Sequence, residues 1–302
     1  MSVKSVKTEK PHKLKGIKYI IDDISENVFK VCALIAVISL ILIIGFVFYK
    51  GLTPFISKGY SFGEFLLGTE WVPSSEKYGI LPMIIASIYG TLGSLVIGVP
   101  IGILTAIFIV EIAPKSVAKI MSQGVELLAG IPSVLFGVFA LGIIVPAIQS
   151  KLSLPKGQSL LAIIIVLSVM MLPTIISVAE TAIRSVPKQY KEASLALGAS
   201  KIETIFKVIL PAAKSGVLTA IVLGMGRAIG ETMAVILVAG NSPIIPNNIT
   251  DSVRPLTTNI ALEMGYAFGT HQEMLFATGV VLFSFILLLN FVIAKISEKA
   301  GN

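Results

Sequence analysis

The amino-acid sequence predicts an all-α, polytopic membrane protein with six transmembrane helices, and three observations carry that prediction. Only 14% of its residues are charged and 55% are hydrophobic, against about 25% charged in an ordinary soluble domain. The apolar residues gather in blocks of 19 or more, and about 20 apolar residues in a helix cross a hydrocarbon core about 30 Å thick. The basic residues fall between those blocks, and they do so unevenly. One soluble core would produce neither the blocks nor the asymmetry.

The elements follow in order. Residues 1–27 form a polar, lysine-rich tail, expected to be cytoplasmic, mobile up to about Ile17, and to hold His12 in solvent. The first apolar block, Val28–Tyr49, is too long for the core of a signal peptide, about 7 to 15 residues, and is read as a retained helix. Further spans are expected at Ile80–Val110, Leu127–Ile148, Leu160–Ala182, Ser215–Ala239 and Leu275–Ala294, giving a transmembrane domain over 28–296 and a cytoplasmic end at 297–302. Pro82 and Pro100 are expected to kink the second span or start it outside the bilayer. Its glycines 90, 93, 98 and 102 suit close contact with a neighbouring helix.

With both termini inside, 17 of the 24 lysines and arginines lie in cytoplasmic segments, six in external ones, and Arg227 within a span. Such an excess of basic residues marks the cytoplasmic side. The net charge of +7 is thereby explained by topology, and no interleaved aromatics or recognition motif point to nucleic acid. Cys32 is the only cysteine, which excludes an intramolecular disulfide and a cysteine-based metal cluster. Among the external residues, Trp71 is expected to anchor at the membrane interface, with contact to an external partner as the alternative, and His271 to be solvated, with no clustered metal ligands. The tripeptide Asn248-Ile249-Thr250 is a weak glycosylation match. The sequence has no GxxxxGK[ST] loop, so any ATP dependence must come from another subunit.

The loop between the fourth and fifth spans, residues 185–211, carries the sharpest pattern. Pro187 suits a first helical position and Gly198 a left-handed residue just past a helix end. Ser200 and Glu203 form an S-x-x-E capping box for a second short helix, expected to end before Pro211. A short helix here can simply lie on the membrane surface. However, Glu192-Ala193-Ser194, Gly198 and Leu210-Pro211 resemble the EAA signature, E-A-A-x3-G-x9-I-x-L-P, of permease subunits in ABC importers, with Ser194 in place of the second alanine and Val208 in place of the isoleucine. The resemblance implies the type I importer permease fold. It also implies a coupling helix that docks on two copies of a cytoplasmic ATPase, which would hold the ATP and Mg; this chain itself would carry no cofactor and catalyse no reaction.

Arg227 lies at the midpoint of its apolar block. An arginine at the centre of a membrane helix costs about 2.5 to 3.5 kcal/mol on insertion scales, so it marks a functional site by default, and its planar fork of donors matches phosphate oxygens. Glu231 is expected one helical turn away on the same face. The two residues either form an internal pair that fixes packing or handle an anion, and Gly226 and Gly230 around them suit close helix approach.

The resemblance extends over residues 28–296 to the PstC-type permease of phosphate-specific ABC importers. It is carried by Thr69-Glu70-Trp71-Val72-Pro73, Tyr78-Gly79-Ile80-Leu81-Pro82, the segment from Glu126 to Gly137, and Gly226-Arg227-Ala228-Ile229-Gly230-Glu231-Thr232-Met233-Ala234. It implies translocation of inorganic phosphate by alternating access across a prokaryotic inner membrane, with Arg227 and Glu231 at the substrate path. It further implies a PstA-type second permease and an external phosphate-binding protein. Another oxyanion (sulfate, molybdate or phosphonate) and an ion-coupled secondary carrier are the competing expectations.

Overall fold

A computed structural model describes residues 15–301. His12, the first half of the polar tail and Asn302 lie outside the described residues. The chain divides into two units, residues 1–49 and 50–302. Helix α1 (Lys15–Ser57) supplies everything described of the first unit. Most of its apolar side chains from Val28 to Phe46, including Leu34, Ile35, Ile41 and Leu42, are exposed. A helix apolar on all sides with its own backbone bonds satisfied is suited to lipid as solvent.

The second unit begins with the last turns of α1 and a short helix α2 (Phe62–Leu67), whose first turn is capped by Ser61 Oγ accepting from the Glu64 N–H at 3.3 Å. Strands β1 (Trp71–Val72) and β2 (Lys77–Tyr78) pair antiparallel, Trp71 opposite Tyr78. The long helix α3 (Leu81–Ile107) then continues as a π-helical turn over Phe108–Ile112. Helix α4 (Lys115–Gly130) precedes α5 (Ser133–Phe139), which passes through a π-helical turn at Ala140–Ile144 into α6 (Val145–Lys151).

The third expected span, Leu127–Ile148, is therefore not one helix. Pro132 forces its predecessor out of the helical region, and Ile131 is extended at φ −72° and ψ 127°. The apolar helix long enough to cross a membrane is instead Ser133–Lys151, with Leu127 to Gly130 ending α4.

Helix α7 (Leu160–Arg184) is the centre of the second unit, starting at Ser159, whose Oγ accepts from the Ala162 N–H at 3.3 Å. After it come α8 (Lys188–Ala196) and α9 (Lys201–Thr204), which runs through a π-helical turn at Ile205–Ile209 into α10 (Leu210–Ala212). Next are α11 (Lys214–Gly230), α12 (Met233–Val238), α13 (Leu256–Glu263) and α14 (Thr270–Gly301). Among the described residues, five helical stretches are long and apolar enough to span a membrane. A sixth position is occupied by residues 201–230, bent by 73° between α10 and α11. The result is an all-α polytopic membrane fold.

The core forms where α3 and α11 pack on α7. Ile163, Met170, Met171, Ile175 and Ala179 of α7 are almost wholly buried. The small residues facing them permit this: a Cβ on Gly93 would stand 2.5 Å from Ile164 Cδ1, and one on Gly224 2.6 Å from Ile175 Cγ1. Glycines 90, 98 and 102 of α3 likewise face α7 side chains. Lipid tails are as apolar as these side chains, so close van der Waals packing rather than escape from water holds the helices together.

A second apolar cluster joins Phe65, Trp71, Tyr78, Ile80 and Met83 to Leu256, Met274 and Leu275. Trp71 is 5% exposed. It belongs to this cluster and not to an interface anchor, because its indole N–H has a buried carboxylate partner.

Candidate functional site

Helix α11 stops one residue short of Glu231, which is extended at φ −69° and ψ 127°. The expected continuous helix Ser215–Ala239, with Glu231 a turn above Arg227 on one face, is thus corrected. Glycine at position 230 is a weak helix former, and Glu231 gains a different partner beyond the break: its Oε1 accepts from the Ala234 N–H at 3.2 Å, capping α12. A carboxylate at a helix start is favoured by the unpaired N–H groups there. Thr232 Oγ1 donates to the Gly230 carbonyl at 3.1 Å and Thr257 Oγ1 to the Glu231 carbonyl at 3.1 Å, satisfying oxygens that the broken helix leaves free.

Arg227 lies in the last turn of α11, half-buried, and among the described residues it forms no ion pair with a carboxylate. Gly226 and Gly230 do not serve packing among the described residues either, since a Cβ on either would meet nothing within 4 Å. One face of α11 around Arg227 is therefore open, next to a helix break held by hydroxyls.

The loop between α7 and α11 puts its signature residues on a protruding surface. Glu192, Ala193, Gly198 and Pro211 are exposed, Ser194 and Leu210 half-buried. Gly198 has φ +83°, the left-handed conformation its position in the sequence requires, and its N–H donates to the Leu195 carbonyl at 3.0 Å. Leu197 beside it is 90% exposed, with Tyr190 and Leu195 also open. The capping box is complete: Ser200 Oγ accepts from the Glu203 N–H at 3.3 Å and Glu203 Oε2 accepts from the Ser200 N–H at 3.1 Å.

The second helix of this loop does not end before Pro211; the chain stays helical to Ala212. The π-helical turn at 205–209 widens the backbone just ahead of the proline, which gives its ring and missing N–H a place. Ser194, the departure from the signature, has its own partner: its Oγ lies 2.9 Å from Thr204 Oγ1, tying α8 to α9. Lys191 of α8 pairs with Glu111 in the π-helical turn that follows α3, beside a groove of about 580 Å³ lined by Arg184, Pro187, Glu192 and Leu195.

A third polar centre has no counterpart in the sequence reading. Glu263, 6% exposed, accepts from Trp71 Nε1 at 2.8 Å and Arg254 Nη1 at 2.6 Å, and its Oε2 lies 2.8 Å from His271 Nε2. Arg254 also donates to the Asn241 carbonyl at 2.8 Å and to Asn259 Oδ1 at 3.2 Å. His271 is accordingly drawn into a buried network instead of standing in solvent. Its hydrogen-bonded partners are up to 192 positions apart in sequence, and no spacing pattern announces them; the lone tryptophan in a polar segment was the one available signal.

Residues 98–300 match the family described as "Binding-protein-dependent transport system inner membrane component". The chain is 44% identical to the "Probable ABC transporter permease protein YqgH" of Bacillus subtilis (strain 168), over 87% of this chain and 88% of that protein. It is 32% identical to the "Phosphate transport system permease protein PstC" of Xylella fastidiosa (strain 9a5c), over 79% of this chain and 81% of that one. Among solved structures, a bacterial ABC transporter involved in import of the acidic polysaccharide alginate superposes with a TM-score of 0.64 at 18% identity, over 93% of this chain and 99% of that chain. The family match covers most of the chain and the fold is shared: the chain is a member of the binding-protein-dependent transport system inner membrane component family, an ABC importer permease.

Proposed function

We propose that this chain is the PstC-type permease subunit of an ATP-driven importer of inorganic phosphate. The carrying observation is Arg227, a half-buried guanidinium in a membrane helix with no carboxylate partner among the described residues. A charge half-buried in a membrane helix without a carboxylate partner is costly, and an anion passing through the site offsets that cost. The internal-pair alternative loses its support, because the Glu231 carboxylate caps α12. Relatives named as phosphate permeases at 29 to 32% identity favour phosphate among the oxyanions.

In this reading the permease domain covers residues 28–296, with residues 1–27 and 297–302 in the cytoplasm of a prokaryotic cell. A second, PstA-type permease lines the other side of the path, and an external phosphate-binding protein delivers the anion. Two ATPase subunits, holding ATP and Mg, dock on α8; Glu192, Ala193, Ser194, Gly198, Leu210 and Pro211 shape that contact. The exposed Leu197 and Tyr190 supply an apolar centre rimmed by charge, as docking interfaces have. Arg227 presents its fork to the phosphate oxygens. Glu231 keeps one oxygen to accept the hydroxyl of hydrogen phosphate, which sulfate lacks, so a carboxylate there disfavours sulfate.

The test is uptake into vesicles holding the whole complex, with ATP inside and binding protein outside. ATP-dependent phosphate uptake, unaffected by excess sulfate or molybdate, is expected. Equal transport of those anions would overturn the substrate, and uptake without the ATPases would overturn the transporter class.

A further inference from the structure

We infer that α13 is a strut between the external polar centre at Glu263 and the helix break at Glu231, with Glu263 and Thr257 as positioning residues for the intramembrane site. This rests on the proposed function above, with Arg227 and Glu231 as the anion site, and on taking the external segment that holds Trp71 as the side the binding protein meets.

Both ends of α13 are anchored, to different things. At its start, the Leu256 N–H donates to Ser87 Oγ of α3 at 2.9 Å, and Thr257 Oγ1 donates to the Glu231 carbonyl at 3.1 Å. That carbonyl sits at a break where no helical N–H reaches it, so Thr257 is what fixes the orientation of the Glu231 peptide. At its end, Glu263 gathers Trp71 from β1, Arg254 from the segment before α13, and His271 from the start of α14. Six residues separate Thr257 from Glu263, a rise of about 9 Å in a helix. Leu256, Thr257, Thr258, Asn259 and Glu263 are all buried, so the helix has little freedom to bend or slide independently.

The energetics point the same way. A desolvated carboxylate that serves three donors loses much if any one is pulled off, so displacement of β1, of the 254 segment or of the start of α14 is passed to the end of α13. A rigid helix passes it to its other end, and there it acts on the Glu231 carbonyl. Rigid elements with fixed contacts at both ends are how coupling is carried between separated sites. Contact of a binding protein with the outer surface thereby reaches the break that positions Glu231.

A double-mutant cycle on the assembled complex tests this. Thr257→Val removes one hydroxyl at similar shape, and Glu263→Gln weakens the gathering of the three donors. The measurement is ATP hydrolysis with and without phosphate-loaded binding protein, per assembled complex in vesicles. Each variant is expected to keep basal hydrolysis and to lose stimulation about five-fold or more, the lower range for coupling between sites. The double variant should be no worse than the weaker single one, because both lie on one route. Stimulation within two-fold of the parent in Thr257→Val, or losses that multiply in the double variant, would overturn the strut. Should Glu263→Gln not assemble, Ser87→Ala takes its place in the cycle, acting on the same helix. A parent complex that phosphate-loaded protein does not stimulate at all would instead overturn the proposed function.

Discussion

Arg227 stands in the last turn of α11, where the free carbonyls of a helix end favour a cation, and its cost in a membrane is thereby partly met before any ligand arrives. Since Glu231 already accepts from the Ala234 N–H, Arg227→Gln strands no carboxylate. The variant is expected to assemble normally with its partner subunits and to lose phosphate uptake by more than ten-fold, with Arg227→Lys recovering only part, because an ammonium lacks the planar fork. Co-purification and uptake measured together decide it. Recovery of near-normal uptake by Arg227→Gln with Glu231→Gln would sink the anion role and restore the structural pair. At Gly198, φ of +83° puts any other residue at a cost of about 1 to 2 kcal/mol. Gly198→Asp, and Glu192→Lys on the exposed face of α8, should leave membrane insertion intact while reducing ATPase co-purification and abolishing uptake. Normal ATP-dependent uptake in either variant counts against α8 as the coupling element.

Among the elements, the helices that pack on α7 and the face of α11 that does not give opposite expectations for glycine. Gly93→Leu drives a side chain into Ile164 and should lower stability by about 1 to 3 kcal/mol, the usual cost of overpacking. Gly226→Ala, with nothing within 4 Å, should not lower the thermal midpoint of the purified chain and should raise it slightly, because alanine is the better helix former. Equal shifts in both would show that the α3–α7 contact is looser than its geometry implies. The short loop helices were legible from sequence because their signals are local: Gly198 needs only its own backbone, and the Ser200–Glu203 box spans a single turn. The break in α11 was not. Gly230 and Glu231 lie inside an unbroken apolar block, and what ends the helix is the competing cap on α12 and the Thr257 hydroxyl, neither of which hydropathy records. Pro132 is an intermediate case, a visible breaker whose effect was to move a span boundary by several residues.

For the whole molecule, orientation is the property that every proposed contact depends on. In a background with Cys32 replaced, single cysteines at positions 240–274 should react with an impermeant thiol reagent added outside, and those at 188–205 should not; the reverse pattern would invert both the docking face and the external centre. The sequence by itself determined the membrane class, the near-count of spans, the local turns and capping box of the 185–211 loop and the family, because each follows from composition, local pattern or signature spacing along the chain. Tertiary structure alone decided where Glu231 points, what Trp71 and His271 bind, and that Glu263 exists as a centre at all. The physical reason is that those residues take partners by long-range geometry: a carboxylate chooses the nearest desolvated donors, and here they lie up to 192 residues away.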